Sequence, residues 1–282
     1  MIIAQSCGYL CPRQSFDGQV HSVFERSVNI VTGLRATPWL SILDTSLPAT
    51  PTAFQGALMT FGNLATALRA GDGAFMRGGV IRFRPSRGVQ VNTVTAQPWQ
   101  RAPSIAALDD SRLQHNLAAL EQALLGHVSS VSGRPDASLD DYLNAAGLSV
   151  PAQLGARPEA LFGNLGKGQG LTPAGDDFLL GVLAAAHCLR PLWPQADQVF
   201  QRLATPGLLN TCRTTDVSAH YLQLALAGHF SQPVQWLVYH LLHGTDDSTL
   251  QHSLHATLAI GASSGADTCA GIVYAIHQLS AL

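Results

Sequence analysis

Charged side chains are scarce in this chain. Lys and Arg together number 16 and Asp and Glu 18 among 282 residues, a 12% share, about half the roughly 25% usual in soluble domains. Low surface charge favours association, so part of the surface is expected to be covered by a partner. A large Ala-rich core under a Ser, Thr, Gln and His surface is the plainer alternative. Positive charge is short as well: the net charge is −2, which excludes a strongly basic nucleic-acid binder, because phosphate neutralisation needs clustered Lys and Arg. The arginines between Arg13 and Arg101 are scattered. Arg77, Arg82, Arg84 and Arg87 make one local patch, read as the solvent face of a hairpin.

Cysteine is also sparse. Cys7, Cys11, Cys188, Cys212 and Cys269 are odd in number and widely spaced, which argues against a disulfide framework and fits a reducing compartment. Cys7 and Cys11 form a lone C-x3-C, weak as metal evidence without a second pair. The N-terminus lacks a basic stretch followed by an apolar core, so no signal peptide is expected. Leu179–Ala186 is too short to span a bilayer and is flanked by Asp177 and Arg190. The expectation is a cytoplasmic protein with neither membrane nor nucleic acid as partner.

What is present divides in two, as the length allows. In the first hundred residues Val28–Val31, Leu40–Leu43, Gly79–Phe83 and Val89–Val94 read as short strands separated by turn formers, with Val80–Arg84 and Val89–Asn92 as a hairpin. Ala57–Leu68 reads as a short helix packed on the sheet. A break falls at Gln97–Pro103. After it Leu113, Leu117, Leu120, Leu124 and Val128 recur at helical spacing, and further helices are expected at Phe178–Leu189, Ala196–Leu203, Val217–Ala227, Pro233–Leu242, Ser248–Ile260 and Ala266–Leu279. The fold class is α+β: a β-rich N-terminal domain, 1–102, and a mainly helical C-terminal domain, 103–282. No internal repeat stands out.

Chemistry concentrates in two glycine- and hydroxyl-rich loops. Gly166–Asp177 places Gly166, Lys167, Gly168, Gly170, Thr172, Gly175, Asp176 and Asp177 within twelve residues, directly before an apolar helical run. Thr172 suits the N-cap and Pro173 the first helical position. Glycines permit positive φ and close backbone approach, and free amides at a helix start beside Lys167 make an anion site. Four glycines, a lysine and two aspartates exceed what a cap requires. The order of residues is neither a Walker A loop nor a Rossmann fingerprint. Asp176 and Asp177 point about 100° apart on a helix, so one is expected to face the pocket, and Asp176 is favoured. Paired with a substrate oxygen, such carboxylates can also hold Mg²⁺.

The second loop, Gly261–Asp267, repeats the theme. Ser263 or Ser264 can cap the following helix, with Gly265 and Asp267 in its first turn, and two such loops can converge on one anion. A third capped helix start, Arg213–Ser218, offers Thr215 and Ser218, with Asn210 nearby. The pairs His240/His243 and His252/His255 share helix faces, but they lie near the exposed turn Gly244–Asp247 and read as surface histidines. No metal ligand is assigned. No Gly-x-Ser-x-Gly elbow is present.

Three stretches together, Gly170–Leu179, Thr215-x-x-Ser218-x-x-Tyr221-Leu222 and Gly261-x-Ser263-Ser264-Gly265-x-Asp267, resemble the AllH-type family associated with FdrA-like proteins. The resemblance is strong over the C-terminal half. It implies a carbamoyltransferase subunit that interconverts oxalurate and phosphate with oxamate and carbamoyl phosphate in allantoin and purine nitrogen catabolism, working with an FdrA-like subunit and a further subunit. From chemistry alone, Lys167 and the amides of Gly168–Gly175 are assigned to a small anionic substrate. Thr172, Ser263 and Ser264 supply further hydrogen bonds, and Asp176 or Asp267 orients an amide or a metal-bound water. A non-catalytic scaffold subunit and a stand-alone Mg²⁺-dependent phosphotransferase or phosphohydrolase are the alternatives.

Overall fold

In the computed structural model of the chain, every residue is described except 58–66, 86–87, 134–137, 245 and 281–282. The first of two units, Met1–Arg101, is built from strands β1 (Ile2–Cys7), β2 (Phe16–Phe24), β3 (Ser27–Val31), β4 (Trp39–Asp44), β5 (Ala53–Gly56), β6 (Gly73–Arg77), β7 (Val80–Arg84), β8 (Gln90–Asn92) and β9 (Gln97–Pro98). They pair in the order β5-β4-β3-β2-β6-β7-β8-β1, and β1 pairs back onto β5. The result is a closed eight-strand barrel, which removes the exposed edges that an open sheet must protect. Alternation sends Ile81 and Phe83 of β7 and Ala74 and Met76 of β6 inward, where they join Ile30, Ile42, Phe54 and Val91.

The four expected strands and the β7–β8 hairpin are present, with Ile81 opposite Val91 and Arg82 opposite Gln90. The expected break at Gln97–Pro103 begins instead with β9, which pairs with Ser6 and Cys7 of β1. The expected helix at Ala57–Leu68 falls almost wholly outside the described residues. Arg77 pairs with Asp17 at 2.6 Å and the Arg84 guanidinium lies 4.6 Å from the Phe75 ring centroid; Arg87 is outside the described residues. Cys7 and Cys11 are buried in the barrel, and none of the five cysteines is in a disulfide.

The second unit, Ala102–Leu282, is helical. Its elements are α1 (Asp110–Ser132), α2 (Leu139–Ala145), α3 (Ala174–Leu189), α4 (Pro194–Asn210), α5 (Asp216–Leu226), α6 (Gln232–His243), α7 (Asp247–Leu258) and α8 (Ser264–Ser280), with a 3-10 turn at Pro158–Asn164. α1 starts where the Asp109 carboxylate accepts the Arg112 amide and ends at Gly133 in the left-handed region, and its leucines at helical spacing are buried. Among the described residues no helix is long and apolar enough to cross a membrane.

α3 is the axis of this unit, with twelve of its sixteen residues buried. It lies alongside α8 and runs in the same direction. Thr172, just ahead of α3, bonds Ser264 at the start of α8, and further along the Phe178 and Tyr274 rings sit 5.5 Å apart. The backbones touch at Gly181 and Gly271. A Cβ at Gly181 would lie 2.0 Å from the Thr268 carbonyl oxygen, and one at Gly271 would lie 2.0 Å from that of Phe178. Only glycine fits either position. The two helices match in sequence at these points, Gly175-x-Asp177-x3-Gly181 against Gly265-x-Asp267-x3-Gly271, a short echo too sparse to stand out as a repeat.

This contact predicts opposite outcomes for two glycine substitutions. Gly271→Ala forces α3 and α8 apart and costs about 1–3 kcal/mol or more. Gly126→Ala on α1, where nothing lies within 4 Å, stabilises by up to about 1 kcal/mol. Urea unfolding of both variants measures the difference, and equal effects would contradict the close packing.

Candidate functional site

Three helix N-termini meet in the second unit. The loop ahead of α3 is anchored by Asn164, whose side chain bonds both backbone groups of Ser149 and whose carbonyl accepts the Lys167 amide at 3.0 Å. The loop then folds back, and Gly175 donates to the Lys167 carbonyl at 3.0 Å. Gly168, at φ 116, passes so close to the start of α3 that a Cβ there would lie 2.6 Å from the Ala174 nitrogen. The stretch Gly168–Leu171 is exposed, and among the described residues none of its amides donates within the chain. A Cβ on Gly175 would meet the Asn164 carbonyl at 2.0 Å, and one on Gly265 the Thr257 carbonyl at 2.1 Å. These two glycines seat their helix starts; they are packing positions.

Thr172 does not cap α3. Helix α3 begins at Ala174 after Pro173, with no side-chain cap. The Thr172 hydroxyl instead shares a 2.8 Å hydrogen bond with the Ser264 hydroxyl at the first residue of α8. That bond joins the two loops singled out in the sequence. The third joins through Thr215: its hydroxyl caps α5 by accepting the Ser218 amide at 3.1 Å and donates to the Leu171 carbonyl. The side chain of Asn210 is outside what the structure describes. Ser263 is exposed on the rim, and its carbonyl accepts the Asp267 amide at 2.9 Å.

The two adjacent aspartates, of which Asp176 was expected to face the pocket, differ in how they are bonded. Asp176 is 1% exposed. One of its oxygens accepts the Gly166 amide at 2.9 Å, and the other accepts the Thr214 hydroxyl and the Ser218 hydroxyl, the latter at 2.6 Å. Its carboxylate is consumed in tying the first loop to the third. Asp177 is also buried, yet among the described residues its Oδ2 has no hydrogen-bond partner. Burial pushes its pKa well above the usual carboxylate range. The Ser264 and Thr172 hydroxyls pull it back, while the charges of Asp267 and Asp176 push it further.

Asp267 mirrors Asp177 from α8. It is 2% exposed; Oδ1 accepts the Tyr142 hydroxyl of α2 at 2.5 Å, and Oδ2 is without a partner among the described residues. Burial raises its pKa, against the hydrogen bonds of Tyr142 and Ser263. Tyr221 of α5 belongs to the same group, its pKa pushed up to about 12 by burial and then by the Asp177 charge. Thus Thr172, Asp177, Ser264 and Asp267 are gathered at one point, backed by Asp176, Thr215 and Ser218. Sequence reasoning missed Tyr142 and Asn164, which carry no local motif; Thr214 lay inside the Arg213–Ser218 stretch but was given no role.

Lys167 is the only lysine in the chain. Its Nζ lies 3.2 Å from Asn164 Oδ1 and 3.5 Å from the Gly147 carbonyl, both neutral acceptors, and among the described residues no carboxylate pairs with it. A cation held by neutral dipoles keeps its charge for an incoming anion. The histidines lie elsewhere: His240 bonds Ser253 at 2.6 Å, and among the described residues no group of three His, Cys, Asp or Glu is set to hold a metal.

Two family models match the chain, the AllH family N-terminal domain over residues 4–100 and oxamate carbamoyltransferase subunit AllH over residues 164–276. The chain belongs to the AllH family. The second match takes in all three helix starts, from Asn164 to most of α8, while Tyr142 lies between the two matched spans. No solved structure matches the chain.

The division of labour between Asp176 and Asp177 is testable by stability. Asp176→Ala removes three bonds to one buried carboxylate, each worth about 1.5–3 kcal/mol, and is expected to destabilise by at least about 2 kcal/mol. For Asp177 the sign is opposite. Unfolded, it ionises in the usual carboxylate range; folded, it holds its proton to higher pH, so stability is lost as pH rises through that window. Asp177→Asn is therefore at least as stable as the parent at pH 7, with the gap closing as pH falls below the usual carboxylate range. Thermal unfolding of both variants from pH 3.5 to 8 checks this; a gap that widens toward acid would contradict it.

Proposed function

We propose that the chain is a substrate-handling subunit of an oxamate carbamoyltransferase, interconverting oxalurate and phosphate with oxamate and carbamoyl phosphate together with an FdrA-like subunit and one further subunit. The family's description supports the carbamoyltransferase assignment. The observation that carries the site is the convergence of three helix N-termini, with open amides at Gly168–Leu171 and a lone lysine in front of them. Every reactant in this reaction is an anion, and oriented amides at helix starts favour anions without reorganisation. Lys167 and these amides take the anionic group. Thr172, Ser263 and Ser264 add hydroxyl donors, and fixing two small reactants in register can itself supply roughly 7–11 kcal/mol of barrier lowering. Turnover of this kind belongs to allantoin and purine nitrogen catabolism in the cytoplasm.

The 12% charge content also fits a scaffold subunit covered by its partners. The experiment that separates the readings is phosphate-dependent breakdown of oxalurate by the reconstituted three-subunit complex. Lys167→Ala is expected to lower kcat/KM by about 10- to 100-fold, the loss of one charge-assisted hydrogen bond. Because Lys167 is the sole lysine, phosphate should also slow its acylation by an amine-reactive reagent. Full activity in Lys167→Ala, with no protection by phosphate, would leave the scaffold reading.

A further inference from the structure

Asp177 and Asp267 each leave one carboxyl oxygen, Oδ2, buried without a hydrogen-bond partner among the described residues. They reach the same place from the first turns of two parallel helices whose ends are joined by Thr172 and Ser264. Buried polar atoms are nearly always satisfied, and an orphan carries a desolvation cost of about 1–3 kcal/mol or more. Two orphans on acids close enough to feel each other's charge are a cost without structural return. Asp176, one residue from Asp177, shows that the same helix start can satisfy a carboxylate fully.

We propose that Asp177 and Asp267 form the subsite for the amide group, –CO–NH₂, of oxamate, and so are the residues that select an amide over a group of equal size without N–H donors. The identity of the ligand rests on the carbamoyltransferase reading; the selection for an amide rests on the two orphan oxygens. An ionised acid pair would repel anionic substrates, but burial favours the neutral carboxyl. A neutral carboxyl offers one O–H donor and one acceptor oxygen, the complement of an amide's acceptor oxygen and N–H donors. The other, anionic end of the molecule would then face the open amides of Gly168–Leu171. A site built to bond an N–H discriminates strongly against an analogue lacking it, because the buried groups are left unpaired.

Oxamate and pyruvate make the test, since they share the carboxylate and carbonyl and differ only in NH₂ against CH₃. Calorimetry on the full chain, alone and in the reconstituted complex, is expected to show oxamate binding at least about tenfold more tightly than pyruvate. Asp177→Leu and Asp267→Leu keep the side-chain outline without hydrogen-bonding atoms, and each should bring the ratio below about twofold. Phosphate protection of Lys167 should be unaffected in both. The proposal is overturned if the unsubstituted protein binds the two ligands equally or binds no oxamate, a comparison that needs no variant to fold. It is also overturned if the preference survives in both folded variants. Oxalurate phosphorolysis is measured in parallel: a complex that is inactive yet prefers oxamate through these acids refutes the carbamoyltransferase reading and leaves the amide subsite standing.

Discussion

The backbone contact between α3 and α8 at Gly181 and Gly271 is the constraint on which the C-terminal unit depends. Two helices that run the same way cannot be joined by a short turn, and here α4 to α7 intervene in sequence. The parallel arrangement brings two like dipole ends together, each equivalent to roughly half a positive charge, and α5 adds a third through Thr214, Thr215 and Ser218. Left alone, such a cluster is unfavourable. Acids in the first turns of α3 and α5, Asp176 and Asp216, answer it from within the chain, and an anion can answer it from outside. The same packing therefore fixes the fold and creates the place where negatively charged groups are stabilised.

Within that place the acids are not equivalent. Asp176 accepts from three donors drawn from two loops and acts as a structural knot. Asp177 and Asp267 are buried just as deeply and remain half-satisfied. The first arrangement repays the desolvation of a carboxylate with bonds to its charge; the second does not, and shifts both groups toward the neutral acid. Groups held away from their ordinary ionisation by burial cluster where ligands are handled. The Tyr142 hydroxyl on Asp267 and the Tyr221 ring beside Asp177 close the flanks, so the site draws on α2, α3, α5 and α8 together.

Much of this was legible in the sequence, and the rest was hidden for identifiable reasons. Glycines, hydroxyls and acids gathered ahead of apolar runs marked all three helix starts. The longer helices were readable from their spacing because their cores are leucine- and alanine-rich; α2, only seven residues long, was not foreseen. The strands β1, β2, β5 and β6 were not, since they are short or carry polar and small residues, and the two residues of β9 hold no pattern at all. Choosing between Asp176 and Asp177 depends on helical phase, and phase is set by where α3 begins. That start is fixed by Gly175 lying against the Asn164 carbonyl and by Thr172 turning to Ser264 instead of capping. Contacts across such separations leave no local trace. The lone lysine, by contrast, was countable from the start, and its position in the first loop is among the plainest pointers to an anion.

The central claim is that the loops ahead of α3 and α8 share one ligand. A crystal structure of the chain with oxamate bound tests it most directly. The account predicts one molecule touching both the Gly168–Thr172 stretch and the Ser264–Asp267 turn, its amide toward Asp177 and Asp267 and its carboxylate toward the open amides and Lys167. Oxamate bound elsewhere, or held by one loop alone with the Thr172–Ser264 bond and both orphan oxygens unchanged, would contradict it.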